Sequence, residues 1–186
     1  MATFEKKATA ADGPGHSGVD SGYAWWRLVL TLIVGTVACV GNWSVVVLLP
    51  TLQVEFETVR GGASLPYTST MLGFAFGGVA MGRLADRVGI VIPVLIGACL
   101  LCVGYVMAAV TTNIWQFAAF SLVIGLGSAA GFSPLISDLS LWFDRRRGLA
   151  VAFAASGSYL AGAVWPLVIE RLAVSYGWRT THVAIG

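Results

Sequence analysis

Few residues in this chain are equipped for chemistry. Its two histidines, His16 and His182, stand near opposite ends of 186 residues, so neither a metal cluster nor a nucleophile–base–acid triad can be built around them. Cys99 and Cys102 have the C-x-x-C spacing of zinc and dithiol sites, but without further Cys or His partners and inside an uncharged apolar run they read as packing residues. No glycine-rich phosphate loop is present. The expectation is a protein that is not an enzyme and needs no cofactor or metal. The remaining groups lie in or beside apolar runs. Asp138 is a carboxylate close to hydrophobic depth, where an ionisable group is a functional candidate by default. Its place near the end of its run reads first as an ion pair with a loop arginine and second as a proton carrier. Asn42, an amide that is costly in hydrocarbon without a partner or water, reads as pathway lining. Trp43, Ser121, Ser128, Ser156 and Tyr159 join it as candidates.

These groups must be positioned by membrane helices. The chain is 57% hydrophobic and 11% charged, against about 25% charged in soluble domains, which leaves too little polar surface for a soluble fold. Nothing acidic or basic lies between Arg27 and Glu55, Arg60 and Arg83, Arg87 and Asp138, or Arg147 and Glu170. About 20 apolar residues cross a bilayer as a helix. The third run has twice that length and is broken by Thr111-Thr112-Asn113, so it reads as two helices joined by a tight turn. Five spans are expected, over about 27-50, 66-86, 90-110, 114-138 and 147-169, with a sixth beginning near Thr180 and cut short at Gly186. On the first span Thr31, Gly35, Ala38 and Asn42 share a face, and on the fourth Ser121, Gly125, Ser128 and Phe132 do so. Packing accounts for many of the small residues on these helices.

Residues 1–24 hold Lys6, Lys7, Asp12 and Asp20 without an apolar stretch. They read as a disordered tail, with no secretory signal and too little positive charge to bind nucleic acid. Lys6, Lys7, Arg27, Arg83, Arg87 and Arg145 to Arg147 fall on one side of the spans, and Arg60, Arg171 and Arg179 on the other. Eight basic residues against three place the N-terminus in the cytoplasm.

The loop after the second span reads Gly82-Arg-Leu-Ala-Asp86-Arg87-Val-Gly89. Glycines at both ends permit tight backbone geometry there. The spacing resembles the major facilitator superfamily signature G-x-L-a-D-r-x-G. That resemblance implies an all-α membrane protein, here the N-terminal half of a two-half bundle, with Asp86 stabilising one end state through contacts across the halves. Ile90 and Val91 stand where a basic pair often follows, which weakens the expected lock. Two further stretches narrow the resemblance. Asp20-Ser-Gly22-Tyr23-Ala-Trp25-Trp26 is similar to the opening of monocarboxylate porters, and Trp142-Phe143-Asp-Arg145-Arg146-Arg147-Gly148, leading to Ser156-Gly157, is similar to the element that opens their fifth helix. Tyr176-Gly177-Trp178-Arg179 completes the match.

The resemblance implies a secondary active transporter of a small organic anion, proton-coupled and working by alternating access in a bacterial inner membrane. The implied partners are the anion, protons, the lipid bilayer and a C-terminal half bearing an arginine in its eighth helix. Two departures count. Asn42 or Trp43 stands where eukaryotic members carry a lysine, and Ser121 replaces the arginine of drug–proton antiporters, which disfavours drug export. An organic-anion exchanger of formate or oxalate type and a non-transporting solute sensor are the alternatives.

Overall fold

The structure, a computed structural model, describes residues 22–58, 60–140, 142–143 and 146–186. The expected tail lies outside the described residues up to 21, and Gly22 to Ala24 already belong to the first helix. All regular structure among the described residues is helical: α1 (Gly22–Ala38), α2 (Val40–Glu55), α3 (Arg60–Ala63), α4 (Leu65–Val88), α5 (Val91–Ala109), α6 (Ile114–Ala130), α7 (Ser133–Leu139), α8 (Arg147–Tyr176) and α9 (Trp178–Ile185). The bundle has a proximal end, where α1 starts, α4 ends and α7 meets α8, and a distal end, where α2, α5 and α8 finish.

Four runs are long and apolar enough to cross a membrane: Gly22–Glu55, Val91–Ala109, Ile114–Leu139 and Arg147–Tyr176. Helix α4, at the place of the expected second span, has 24 residues and rises about 36 Å at 1.5 Å each. Its Thr, Ser and Gly residues make it less apolar than the others. Large side chains such as Phe76, Leu95, Val103 and Leu167 are exposed around the bundle. Water would not tolerate so wide an apolar surface, and lipid would.

Two runs expected as single helices are interrupted. The first is α1 and α2 joined at Cys39, where the Asn42 N–H bonds the Cys39 carbonyl at 3.2 Å, one residue short of the α-helical partner. The fourth is α6 and α7 joined at Gly131-Phe132. Pro134 has no N–H to offer the Ala130 carbonyl, and the Phe132 N–H takes the Ala129 carbonyl instead. Pro50 in α2 and Pro166 in α8 remove one ladder bond each. The turn at 111–113 is set by Asn113, whose side chain accepts from the Trp115 N–H at 2.9 Å and caps α6.

Helix α6 is the hub. A Cβ on Gly125 would overlap the Thr70 carbonyl oxygen of α4, and one on Gly127 would stand 2.8 Å from the Gly97 oxygen of α5. Such backbone approach is how membrane helices gain contact when lipid removes the hydrophobic drive between them. Buried apolar side chains form two clusters. The proximal one joins Ala24, Leu28, Leu139, Phe143, Ala150 and Ala154, and the distal one centres on Leu48, Leu52, Tyr105, Phe117, Ile169 and Trp178.

Candidate functional site

At the proximal end α1 is fastened to the α7–α8 turn. Arg27 Nη2 donates to Asp138 Oδ2 at 2.6 Å, with both side chains more than two-thirds buried, and the guanidinium lies 4.4 Å over the Trp142 ring. Tyr23 meets Trp142 edge-on at 5.6 Å, and Trp25 meets Phe143 at 5.4 Å. The arginine on Asp138 thus comes from the opening of α1, not from the basic triplet. Arg147 donates to Ser140 Oγ at 3.2 Å, Arg146 is exposed before α8, and Arg145 lies outside the described residues.

The Gly82–Gly89 motif occupies the end of α4. Gly82 lies within the helix, not at its end as expected, and Gly89 terminates it with φ +82°, a conformation that favours glycine. Asp86 and Arg87 are exposed in the last turn. Neither has a hydrogen-bond or ion-pair partner among the described residues. A carboxylate there faces the negative end of the helix dipole, so Asp86 does nothing for the helix that carries it. A Cβ on Gly82 would meet nothing within 4 Å. The motif is a free face of this bundle.

Mid-bundle, the two helix breaks face each other. A Cβ on Gly131 would overlap Ala38, and one on Gly41 would overlap Ser128 Oγ. Ser128 is fully buried, and its Oγ and Asn42 Oδ1 are buried without a hydrogen-bond partner among the described residues, which is costly for polar atoms. The other expected lining residues do not join them. The Trp43 ring would lie 2.5 Å from a Cβ on Gly162 of α8, a packing contact. Ser121 Oγ donates to the Phe117 carbonyl at 2.8 Å and Ser156 Oγ to that of Phe153 at 2.6 Å. Tyr159 is 79% exposed on α8. Cys99 and Cys102, expected as packing residues, are exposed on α5.

The sequence reading missed the polar contacts of the distal half. Tyr105 Oη donates to Ser44 Oγ at 2.8 Å, both fully buried. His182 is buried among Tyr105, Phe117 and Trp178, with Nδ1 3.0 Å from the Trp178 carbonyl. Arg179 donates to the Ala109 and Thr111 carbonyls at 3.0 Å each and to Glu55 at 3.3 Å, closing the C-terminal end of α5 onto α9. A basic residue directly after a Gly-Trp pair, at Arg179, was the available signal. A cleft of about 330 Å³ opens beside it, between Glu55, Glu57 and Asn113, away from the expected lining residues.

These features, two broken helices apposed through glycine, an exposed signature loop and a proximal aromatic staple, belong to a helical membrane bundle. The comparisons agree. The family model for the Major Facilitator Superfamily matches residues 31–186. An MFS-type transporter of Aspergillus terreus, pytF, is 38% identical over 105 residues, covering 55% of this chain and 36% of its own length. Human monocarboxylate transporter 6 is 29% identical over 174 residues, 90% of this chain and 33% of its own, and human monocarboxylate transporter 14 is 24% identical over 172, 92% and 34%. The chain therefore spans about a third of the length of these relatives. With the family model covering most of its residues, the chain belongs to the major facilitator superfamily.

Proposed function

We propose that the intact protein is a secondary active transporter of a small organic anion, a monocarboxylate carried with protons by alternating access. One observation carries the substrate class. The two segments that resemble monocarboxylate porters, Tyr23 to Trp26 and Trp142 to Phe143, are packed on each other through two aromatic contacts and the Arg27–Asp138 pair. The long alignments to monocarboxylate transporters 6 and 14 support the same class. In this reading the paired breaks at Cys39 and Gly131, with Asn42 and Ser128 beside them, line the solute path near the bilayer midplane, where facilitators bind between repeats. Asp86, Arg87 and the open space at Gly82 receive the second half of the bundle. The bundle itself holds no cation facing Asn42 among the described residues, so the second half supplies the charge that binds a carboxylate. The N-terminus lies in the cytoplasm, on the strength of eight basic residues against three. The relatives are fungal and human and lend the bacterial inner membrane no support.

The test is uptake of radiolabelled L-lactate, pyruvate, formate and oxalate by proteoliposomes of the intact protein. Accumulation of a monocarboxylate driven by an inward proton gradient and abolished by protonophore is expected. Uptake that needs internal anion and ignores protonophore would make it an exchanger. Saturable binding with no flux would make it a sensor.

A further inference from the structure

His182 has no exposed surface, and only one of its two ring nitrogens is satisfied. Nδ1 stands 3.0 Å from the Trp178 carbonyl, and a carbonyl oxygen only accepts, so the proton of the neutral ring sits on Nδ1. Nε2 is left as a bare lone pair, buried without a hydrogen-bond partner among the described residues. An acceptor left this way costs stability, and the ring cannot turn away easily because its helix is fastened on both sides. Arg179 ties α9 to the Ala109 and Thr111 carbonyls at the end of α5, and a Cβ on Gly186 would stand 2.8 Å from Tyr105 Cβ.

The surroundings of the ring can hold a cation. Tyr105 of α5, Phe117 of α6 and Trp178 stand with ring centroids 5.4, 5.5 and 5.7 Å from the imidazole, and aromatic faces within about 6 Å attract positive charge. No carboxylate among the described residues pairs with it. On α9, Arg179 is engaged by the α5 carbonyls and by Glu55, the one carboxylate of α2, at 3.3 Å. On α5 the ionisable groups are Tyr105, whose hydroxyl donates to Ser44 Oγ, and the exposed Cys99 and Cys102. Helix α6 has none, and at the distal end of α8 Glu170, Arg171 and Tyr176 are exposed.

The cage lies between the distal opening and the first helix break. Phe56, which lines the cleft of about 330 Å³ with Glu55 and Glu57, packs on Phe117 at 6.3 Å and on Trp178 at 6.2 Å, so one side chain touches both the acidic opening and the cage. On the other side the Tyr105 bond to Ser44 Oγ is continued by Ser44 Oγ donating to the Gly41 carbonyl at 3.3 Å, beside the break and Ser128. We propose that His182 Nε2 is a proton-binding site reached from the distal cleft, and that its proton is the one that accompanies the anion. One proton from water adds to the Nε2 lone pair and gives an imidazolium with an N–H on each nitrogen; the same proton later leaves, and no other bond is made or broken. The second part rests on the transport reading, and the first on the ring and its cage alone.

The test follows tryptophan emission of the intact protein in detergent from about pH 8 to about pH 5, either side of the ordinary imidazole range near ~6.5. An imidazolium quenches a neighbouring indole far more than a neutral imidazole does, so loading His182 dims Trp178. The expected result is a quenching step in wild type that is missing from His182→Gln. It should be missing also from Trp178→Phe, which removes the reporter but keeps an aromatic ring and the carbonyl facing Nδ1, and which carries the test if His182→Gln does not fold. In proteoliposomes at about pH 5.5 outside and 7.5 inside, the two units are worth up to about 100-fold accumulation of L-lactate at one proton per anion. His182→Gln should lose that accumulation and keep the exchange of labelled for unlabelled L-lactate at equal pH. No step in wild type, or a step that persists in the variants, would overturn the proton site. A step lost in both variants with full pH-driven accumulation in His182→Gln would leave the proton site standing and overturn its part in coupling. A His182-dependent step in protein that moves none of the anions would leave the proton site standing and overturn the transport reading.

Discussion

Gly125 and Gly82 sit on neighbouring helices and should respond to the same substitution with opposite signs. A Cβ at Gly125 would overlap the Thr70 oxygen and stand 2.9 Å from the Phe74 nitrogen. Both are backbone atoms of α4, so no rotamer change relieves the clash. To reach ordinary contact, α4 must retreat by more than ~1 Å, beyond the roughly 0.5–1 Å gap that already forfeits a quarter to a half of the dispersion energy of each contact it opens. Overpacking of this kind costs about 1–3 kcal/mol, while alanine returns about 1 kcal/mol of helix propensity. Because the clash is with backbone the upper end of that cost applies, and Gly125→Ala should lose about 2 kcal/mol net. At Gly82 nothing lies within 4 Å of the new Cβ, so Gly82→Ala keeps the propensity gain and stabilises this bundle by about 1 kcal/mol. In a domain of 150–250 residues a kcal/mol moves Tm by about 2–4 °C, which separates the two variants by several degrees. Unfolding in detergent, followed by tryptophan fluorescence at one scan rate, gives the order even where it is irreversible. Paired uptake assays then separate fold from function: Gly82→Ala is expected to be the more stable protein and, if the proposed second half docks there, the slower transporter. Gly82→Ala melting below Gly125→Ala, or Gly125→Ala matching wild type, would refute the packing argument.

Three further outcomes are expected. Asp86→Asn should slow solute flux several-fold while expression and Tm stay at wild-type values, and wild-type flux would remove Asp86 from the conformational switch. Arg27→Gln and Asp138→Asn, alone and together, should show a coupling of about 1 kcal/mol in thermal stability, because the bond is short and charge-assisted but both side chains keep a quarter of their surface exposed; additive losses would mean that the pair does not act as a staple. Asn113→Ala should cost about 1 kcal/mol by freeing the Trp115 N–H, visible as faster hydrogen exchange at 114–117, and unchanged exchange would deny the cap.

The class of fold was legible because charge is the strongest signal a membrane chain carries. Arg27 and Glu55, or Arg147 and Glu170, bracket runs that can only be helical in lipid. The 111–113 turn was legible through Asn113, a residue type that caps helices in water and membrane alike. The break at Gly131 had a signal, Pro134 three residues on, which the reading as one span passed over. The break at Cys39 had only a weak signal, Gly41-Asn42 two residues on, and it falls where Ala38 meets Gly131. Of the site, Asp138 was visible and its partner was not, because Arg27 lies 111 residues away and reads in sequence as an ordinary boundary charge. The contacts of Trp43 and Ser121 were hidden for a related reason. Residue type and helical phase placed them near the interior, but which neighbour fills that interior is decided by Gly162 and by the helix's own Phe117 carbonyl.

The two proximal carboxylates show how one bundle assigns different work to the same chemical group. Asp138 is satisfied inside this bundle: it has a guanidinium at 2.6 Å, that guanidinium has a tryptophan face, and the tryptophan has Tyr23 against it. A carboxylate so held ties α1 to α7. Asp86 is the reverse. It lies exposed at the unfavourable end of a helix dipole, beside a glycine whose missing side chain clears space that nothing here occupies. A group that destabilises its own helix is compensated only by contacts made elsewhere, and contacts made in one conformation and lost in another are what shift a two-state equilibrium. Under the proposed alternating access, the satisfied carboxylate would hold the α1–α7 end together and the unsatisfied one would bias the equilibrium between the two states.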